Sequence, residues 1–145
     1  MLDLELLQDT IGLLRQHDES GSAVDTELDD AWMQEIIELL NAYKLSHFRK
    51  ITFLACYMLI YTAIHKHQEL IAGEDTQLSR GILDGDYLFG LYYRLAASRE
   101  EWKLVLHLTL FNKKMQLALI KGHSTPSLLS DLKQEFRTYL DRHCA

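Results

Sequence analysis

Apolar residues recur at helical spacing along nearly the whole chain. Leu4, Leu7, Ile11 and Leu14 fall at i, i+3, i+7 and i+10, one stripe of a first helix. Residues 17–23 (HDESGSA) are polar and contain Gly21, which predicts a loop. A second helix is expected to start at Asp25 or Thr26. Leu28, Trp32, Ile36, Leu39 and Tyr43 make its stripe, and Asp29 and Asp30 sit near the positive end of its dipole. Ser46 is placed to cap a third helix, from His47 to about Ala72, with Gly73 to end it. Within that helix residues 51–64, ITFLACYMLIYTAI, are apolar on most sides, which predicts burial nearly all round. A fourth helix is read from about Leu78 to Ala97. Leu88, Leu91, Tyr92 and Leu95 form one stripe, and Gly85, Phe89, Tyr93 and Ala96 a second. Such a helix is central to a fold or lies at an interface. Gly81, Gly85 and Gly90 each weaken it, so close approach of another backbone, or a kink, is expected there.

Ser98-Arg99-Glu100-Glu101 matches a capping box, which predicts a fifth helix carrying Trp102, Val105, Leu108, Asn112, Met115 and Leu119 and closed by Gly122. Thr125-Pro126 reads as a cap followed by proline at the first helical position, opening a sixth helix with Leu128, Leu129, Leu132, Phe136, Tyr139 and Leu140. The expected fold class is all-α, a bundle of about six helices in one domain over residues 1–145, with no strand.

Composition sharpens this picture. Seven glycines and one proline in 145 residues are too few breakers for a many-turned β-sandwich or barrel. A hydrophobic share of 48% with 25% charged residues excludes wholesale disorder. Lys and Arg total 15 against 21 Asp and Glu, a net charge of −6, which argues against a general nucleic-acid binder. Two cysteines, Cys56 and Cys144, make no disulfide framework and fit a reducing compartment. The acidic start, Met1 to Glu5, is unlike the basic head of a signal peptide. The apolar run 51–64 falls short of the roughly 20 residues that span a bilayer. A bacterial cytoplasmic location without a transmembrane segment is expected.

Four places invite chemistry. His65-Lys66-His67 offers two imidazoles, but residues i and i+2 of a helix point about 200° apart and do not converge on one ion. The carboxylates of Asp84 and Asp86 share that spacing, so at most one faces a given cleft. The aromatic group Tyr87, Phe89, Tyr92 and Tyr93 suits a core or a subunit interface. Lys113 and Lys114, with Lys103 and Lys121, read either as a diphosphate contact or as a solvated face.

The segment 81–96, GILDGDYLFGLYYRLA, resembles the Leu-x-Gly-Asp-Tyr/Phe-Leu helix of trans-prenyl diphosphate synthases. It is similar above all to the small subunit, component I, of two-component heptaprenyl or hexaprenyl diphosphate synthases, through Leu83, Gly85, Asp86, Tyr87, Tyr92 and Tyr93. The likeness covers about residues 51–122 and implies part of the isoprenoid synthase fold. Active members carry an Asp-rich motif upstream whose carboxylates hold Mg²⁺ on the allylic diphosphate. Here the matching place reads His65-Lys66-His67-Gln68-Glu69-Leu70, with Lys66, His67 and Leu70 where acids should stand.

The resemblance therefore implies a chain with no catalytic residue, no metal and no activity of its own. Mg²⁺ would belong to a catalytic component II with Asp-rich motifs. That partner would take an allylic prenyl diphosphate and isopentenyl diphosphate for menaquinone side-chain biosynthesis. The small subunit would help set product length, with Tyr57, Tyr61, Leu88 and Tyr92 as tunnel candidates and Gly85, Asp86, Tyr87, Phe89 and Tyr93 as family-motif or partner-interface candidates. A homodimer is possible in isolation. Two other readings stand beside this one: a helical self-associating interaction module with no prenyl substrate, and a small independent terpenoid-type enzyme.

Overall fold

The computed structural model describes residues 3–18, 30–69, 75–122 and 124–144, with the side chains of 30, 67–69, 75–84 and 125 outside that set. It is all-α. The six helices are α1 (Leu4–His17), α2 (Asp30–Asn41), α3 (His47–Glu69), α4 (Asp75–Ser98), α5 (Trp102–Ile120) and α6 (Thr125–His143), and no strand occurs among the described residues.

Helix α3 is the hub. Every residue from Thr52 to Ile64 is buried, as the unbroken apolar run requires. The two threonines enter this apolar setting because each hydroxyl donates back to its own helix, Thr52 to the Phe48 carbonyl at 2.9 Å and Thr62 to the Met58 carbonyl at 2.7 Å. Helices α1, α2, α4, α5 and α6 all pack on α3, and α4 does so most extensively. Only five residues separate α3 from α4, so the two form an antiparallel hairpin. The stripe 88, 91, 92 and 95 of α4 is buried as expected, and Gly85, Phe89 and Ala96 of its second face are buried too. In α6, all six of the expected core residues are buried.

Helix α1 buries a different stripe from the one its leucine spacing suggests. Leu6, Thr10, Leu13 and Leu14 are buried, while Leu7 and Ile11 are half-buried and Leu4 is exposed. Thr10 tolerates the core by donating to the Leu6 carbonyl at 2.7 Å, and Leu4 lies in the first turn, at the edge of the packing. The start is capped by Asp3, whose carboxylate accepts from the Leu6 amide at 3.1 Å. Ser46 caps α3 as expected, its hydroxyl accepting from the Arg49 amide at 3.2 Å. The expected starts at Asp25 or Thr26, the positions Leu28 and Asp29, and the stop at Gly73 lie outside the described residues.

Three further corrections concern ends and glycines. The capping box at 98–101 does not form. Helix α4 runs on through Ser98, whose hydroxyl donates to the Leu95 carbonyl, and Glu101 takes the N-cap position of α5 without a side-chain capping bond. The turn between them is a Schellman closure. The Glu101 amide donates to the Ala96 carbonyl at 2.8 Å and the Glu100 amide to Ala97 at 3.2 Å, with Glu100 at φ 63°. Helix α6 starts one residue earlier than Thr125-Pro126 suggests, with Ser124 as N-cap. Gly90 is not a point of close approach, since a Cβ built there would meet nothing within 4 Å. Gly122 does close α5, at φ 80°.

Candidate functional site

Helix α4 packs against α3, and the residues of its 85–93 segment divide between core and surface. Gly85 is buried and Asp86 exposed. Tyr87 is half-buried, and its hydroxyl donates to the Asp18 carboxylate at 2.8 Å, tying α4 to the C-terminal cap of α1. Leu88, Phe89 and Tyr92 are buried, whereas Tyr93 is exposed and meets Tyr92 at a tilt of 44° with ring centroids 5.0 Å apart. Of the five interface candidates, Asp86 and Tyr93 are thus at the surface, and Gly85 and Phe89 are enclosed.

Four aromatic rings recur every fourth residue along α3: Phe53, Tyr57, Tyr61 and His65. Phe53 meets Tyr139 at 5.9 Å. Tyr57 meets Phe136 edge-on at 5.4 Å and Tyr61 at 6.1 Å. Tyr61 meets Trp32 at 6.1 Å and His65 at 4.7 Å. The column therefore joins α2, α3 and α6. Tyr92 belongs to a second group with Cys56, Asn112 and Tyr139, where α3, α4, α5 and α6 converge. The tunnel candidates accordingly divide, with Tyr57 and Tyr61 in the column and Tyr92 in the convergent group.

Electrostatics follow from enclosure. The Tyr57 hydroxyl, the Tyr92 hydroxyl and both polar atoms of Asn112 are buried with no group at hydrogen-bond geometry, although the carboxamide is near enough to Tyr92 to act on it. Burial holds the Tyr57, Tyr92 and Cys56 side chains in their neutral forms well above their usual ranges, and raises the Tyr139 phenol to about 12. Enclosure thus favours the neutral form of each of these groups.

In the stretch 65–70, His65 and Lys66 are half-buried near the end of α3. His67 continues the helix with its side chain outside the described set, and Leu70 lies outside the described residues. An ammonium and imidazoles do not fit Mg²⁺, which takes hard oxygen ligands.

Sequence reasoning passed over two clusters. Glu5 and Asp9 of α1 and His47 of α3 bring one ligand atom each within 4.8 Å of one another, all exposed, with Asp9 and His47 paired at 2.7 Å. The i, i+4 spacing of Glu5 and Asp9 was a visible signal; the arrival of His47 was not. The second is a cleft of about 490 Å³ at the start of α5, lined by Phe48, Arg49, Arg99, Glu100, Trp102 and Lys103, among others. Arg49 grips the buried Glu101 carboxylate through Nε at 2.8 Å and Nη2 at 3.2 Å, which raises the guanidinium pKa further. Arg99 donates to the Thr52 hydroxyl and the Phe48 carbonyl and stacks 3.7 Å from the Phe48 ring. Lys103, Lys113, Lys114 and Lys121 are all exposed.

No helix among the described residues is long and apolar enough to cross a membrane. No family model, no curated protein and no solved structure matches the chain.

Proposed function

We propose that the chain is a non-catalytic subunit of a two-component long-chain polyprenyl diphosphate synthase, helping to set the length of a heptaprenyl-type product for menaquinone side chains. One observation carries this reading: the Gly85-Asp86-Tyr87 helix packs on α3, and α3 offers His65, Lys66 and His67 where a catalytic relative would present acids. The all-α fold is compatible with it. Mg²⁺ and the reacting diphosphates would be held by a partner with Asp-rich motifs.

On this reading the chain acts through shape. A growing prenyl tail gains by burial until a bulky wall stops it. Tyr57, Tyr61, Leu88 and Tyr92 supply bulk to the α3–α4 unit, while Asp86 and Tyr93 are available at its surface to a partner. Co-expression with an Asp-rich component II, followed by an assay on farnesyl diphosphate plus isopentenyl diphosphate, tests the proposal. The two chains are expected to co-purify and to form a long product that neither makes alone. A partner that makes the same product unaided, or that fails to associate, overturns it.

A further inference from the structure

Helix α5 is apolar on two opposite sides, and one of them is bare. At about 100° per residue, Leu104, Leu108, Asn112, Met115 and Leu119 share the buried side. Trp102, Leu106, Leu110, Leu117 and Ile120 fall within about 80° of one another on the far side. Their exposures run from 52% at Leu117 to 82% at Ile120. Five large apolar side chains thus form a stripe about 27 Å long.

Charge says what covers the stripe. The chain is acidic overall, yet residues 102–130 contain no Asp or Glu, and the four lysines at 103, 113, 114 and 121 all lie in that stretch. Lys113 falls inside the stripe, between the bearings of Trp102 and Leu117. The centre of a protein–protein interface is poor in charge, and Lys113 would be left dry there. A second copy of the chain would also set lysine against lysine. At a bilayer surface the same lysine lays its stem on the apolar layer and raises its ammonium to lipid phosphates. Trp102 marks one end of the stripe, with the Lys103 ammonium 5.7 Å from its ring, and the exposed Phe48 ring under Arg99 lines the cleft beside it. Aromatic rings interleaved with cations suit the headgroup level. Acids border α5 at two places. Glu100, exposed, and Glu101, paired with Arg49, stand at its start in the cleft that also holds Trp102 and Lys103. Asp131 and Glu135 of α6 line the α5–α6 groove with Lys114, and Glu135 is engaged by His107 at 3.1 Å.

We propose that the outer face of α5 docks on an anionic phospholipid bilayer, with the apolar stripe at the headgroup–acyl boundary and the lysines on lipid phosphates. The docking is independent of the prenyl reading. Co-sedimentation of the full chain with vesicles of phosphatidylglycerol or of phosphatidylcholine tests it. Binding to phosphatidylglycerol, weakened by added salt, and little binding to phosphatidylcholine are expected. The double variants Leu106→Gln/Leu110→Gln and Lys113→Glu/Lys114→Glu, all at exposed positions, are each expected to bind at least about tenfold more weakly with unchanged circular dichroism. In a Trp32→Phe background, the emission of Trp102 is expected to shift to the blue on phosphatidylglycerol vesicles. Absence of binding, equal binding to both lipids, or variants that bind like the parent overturn the proposal. So does light scattering that shows a dimer which the leucine variant splits while vesicles leave the chain in solution.

Discussion

A methyl group added at Gly90 would enter open space. The residue lies in the middle of α4 with ordinary helical backbone, so the glycine carries the usual cost against alanine and nothing in its surroundings repays it. Gly90→Ala is expected to stabilise the chain by about 0.5–1 kcal/mol, read as a higher urea midpoint at unchanged slope. Glu100 is the opposite case, a side chain in the left-handed region where glycine would sit at ease. From sequence the two positions could not be told apart. The glycines of α4 suggested tight packing, and nothing in Glu100 suggested a helix stop. Leu4 and Leu6 teach the same lesson: helical spacing pointed to the stripe of Leu4, Leu7, Ile11 and Leu14, whereas the packing buries Leu6, Thr10, Leu13 and Leu14.

At the scale of the element, the fifth helix starts on an ion pair. Glu101 is buried, and the forked contact from Arg49 compensates its charge while fixing the start of α5 against α3. Arg49→Ala leaves that carboxylate enclosed and unpaired. A loss of about 2 kcal/mol is expected, below the full figure for a buried pair because the Arg49 side chain is 39% exposed, and urea unfolding measures it. The helices themselves were legible, since each carries a long periodic pattern. Their junctions were less so. Ser98 had the chemistry of a cap, but the Schellman closure two residues later prevailed because it also satisfies the last carbonyls of α4. The outer stripe of α5 was readable in principle: leucines beyond the buried face had no assigned neighbour, and the lysines among them looked like ordinary solvated residues.

For the whole molecule, the enclosed tyrosines set an alkaline limit. Tyr139 titrates near 12 in the fold against about 10 for a free phenol, and Tyr57 and Tyr92 are pushed higher still by burial. Above pH 10 the unfolded chain releases these protons while the folded chain keeps them, so stability falls as pH rises. The contribution is fully present below about 10, and the part due to Tyr139 is lost between about 10 and about 12. Urea midpoints measured across that range are expected to decline, and the Tyr139→Phe variant to decline less steeply. Burial of these rings followed from the apolar run and the stripes, whereas the division between an aromatic column and a convergent polar group depends on how α2, α5 and α6 approach the hub, which no local spacing records.

That hub has a consequence for dissection. Because five helices each pack on α3, removing any one of them is expected to bare part of that helix to water. A fragment that lacks an outer helix is expected to unfold more readily than the whole chain, and a partner or surface that engages one outer helix engages a body that cannot shed it without opening its own middle.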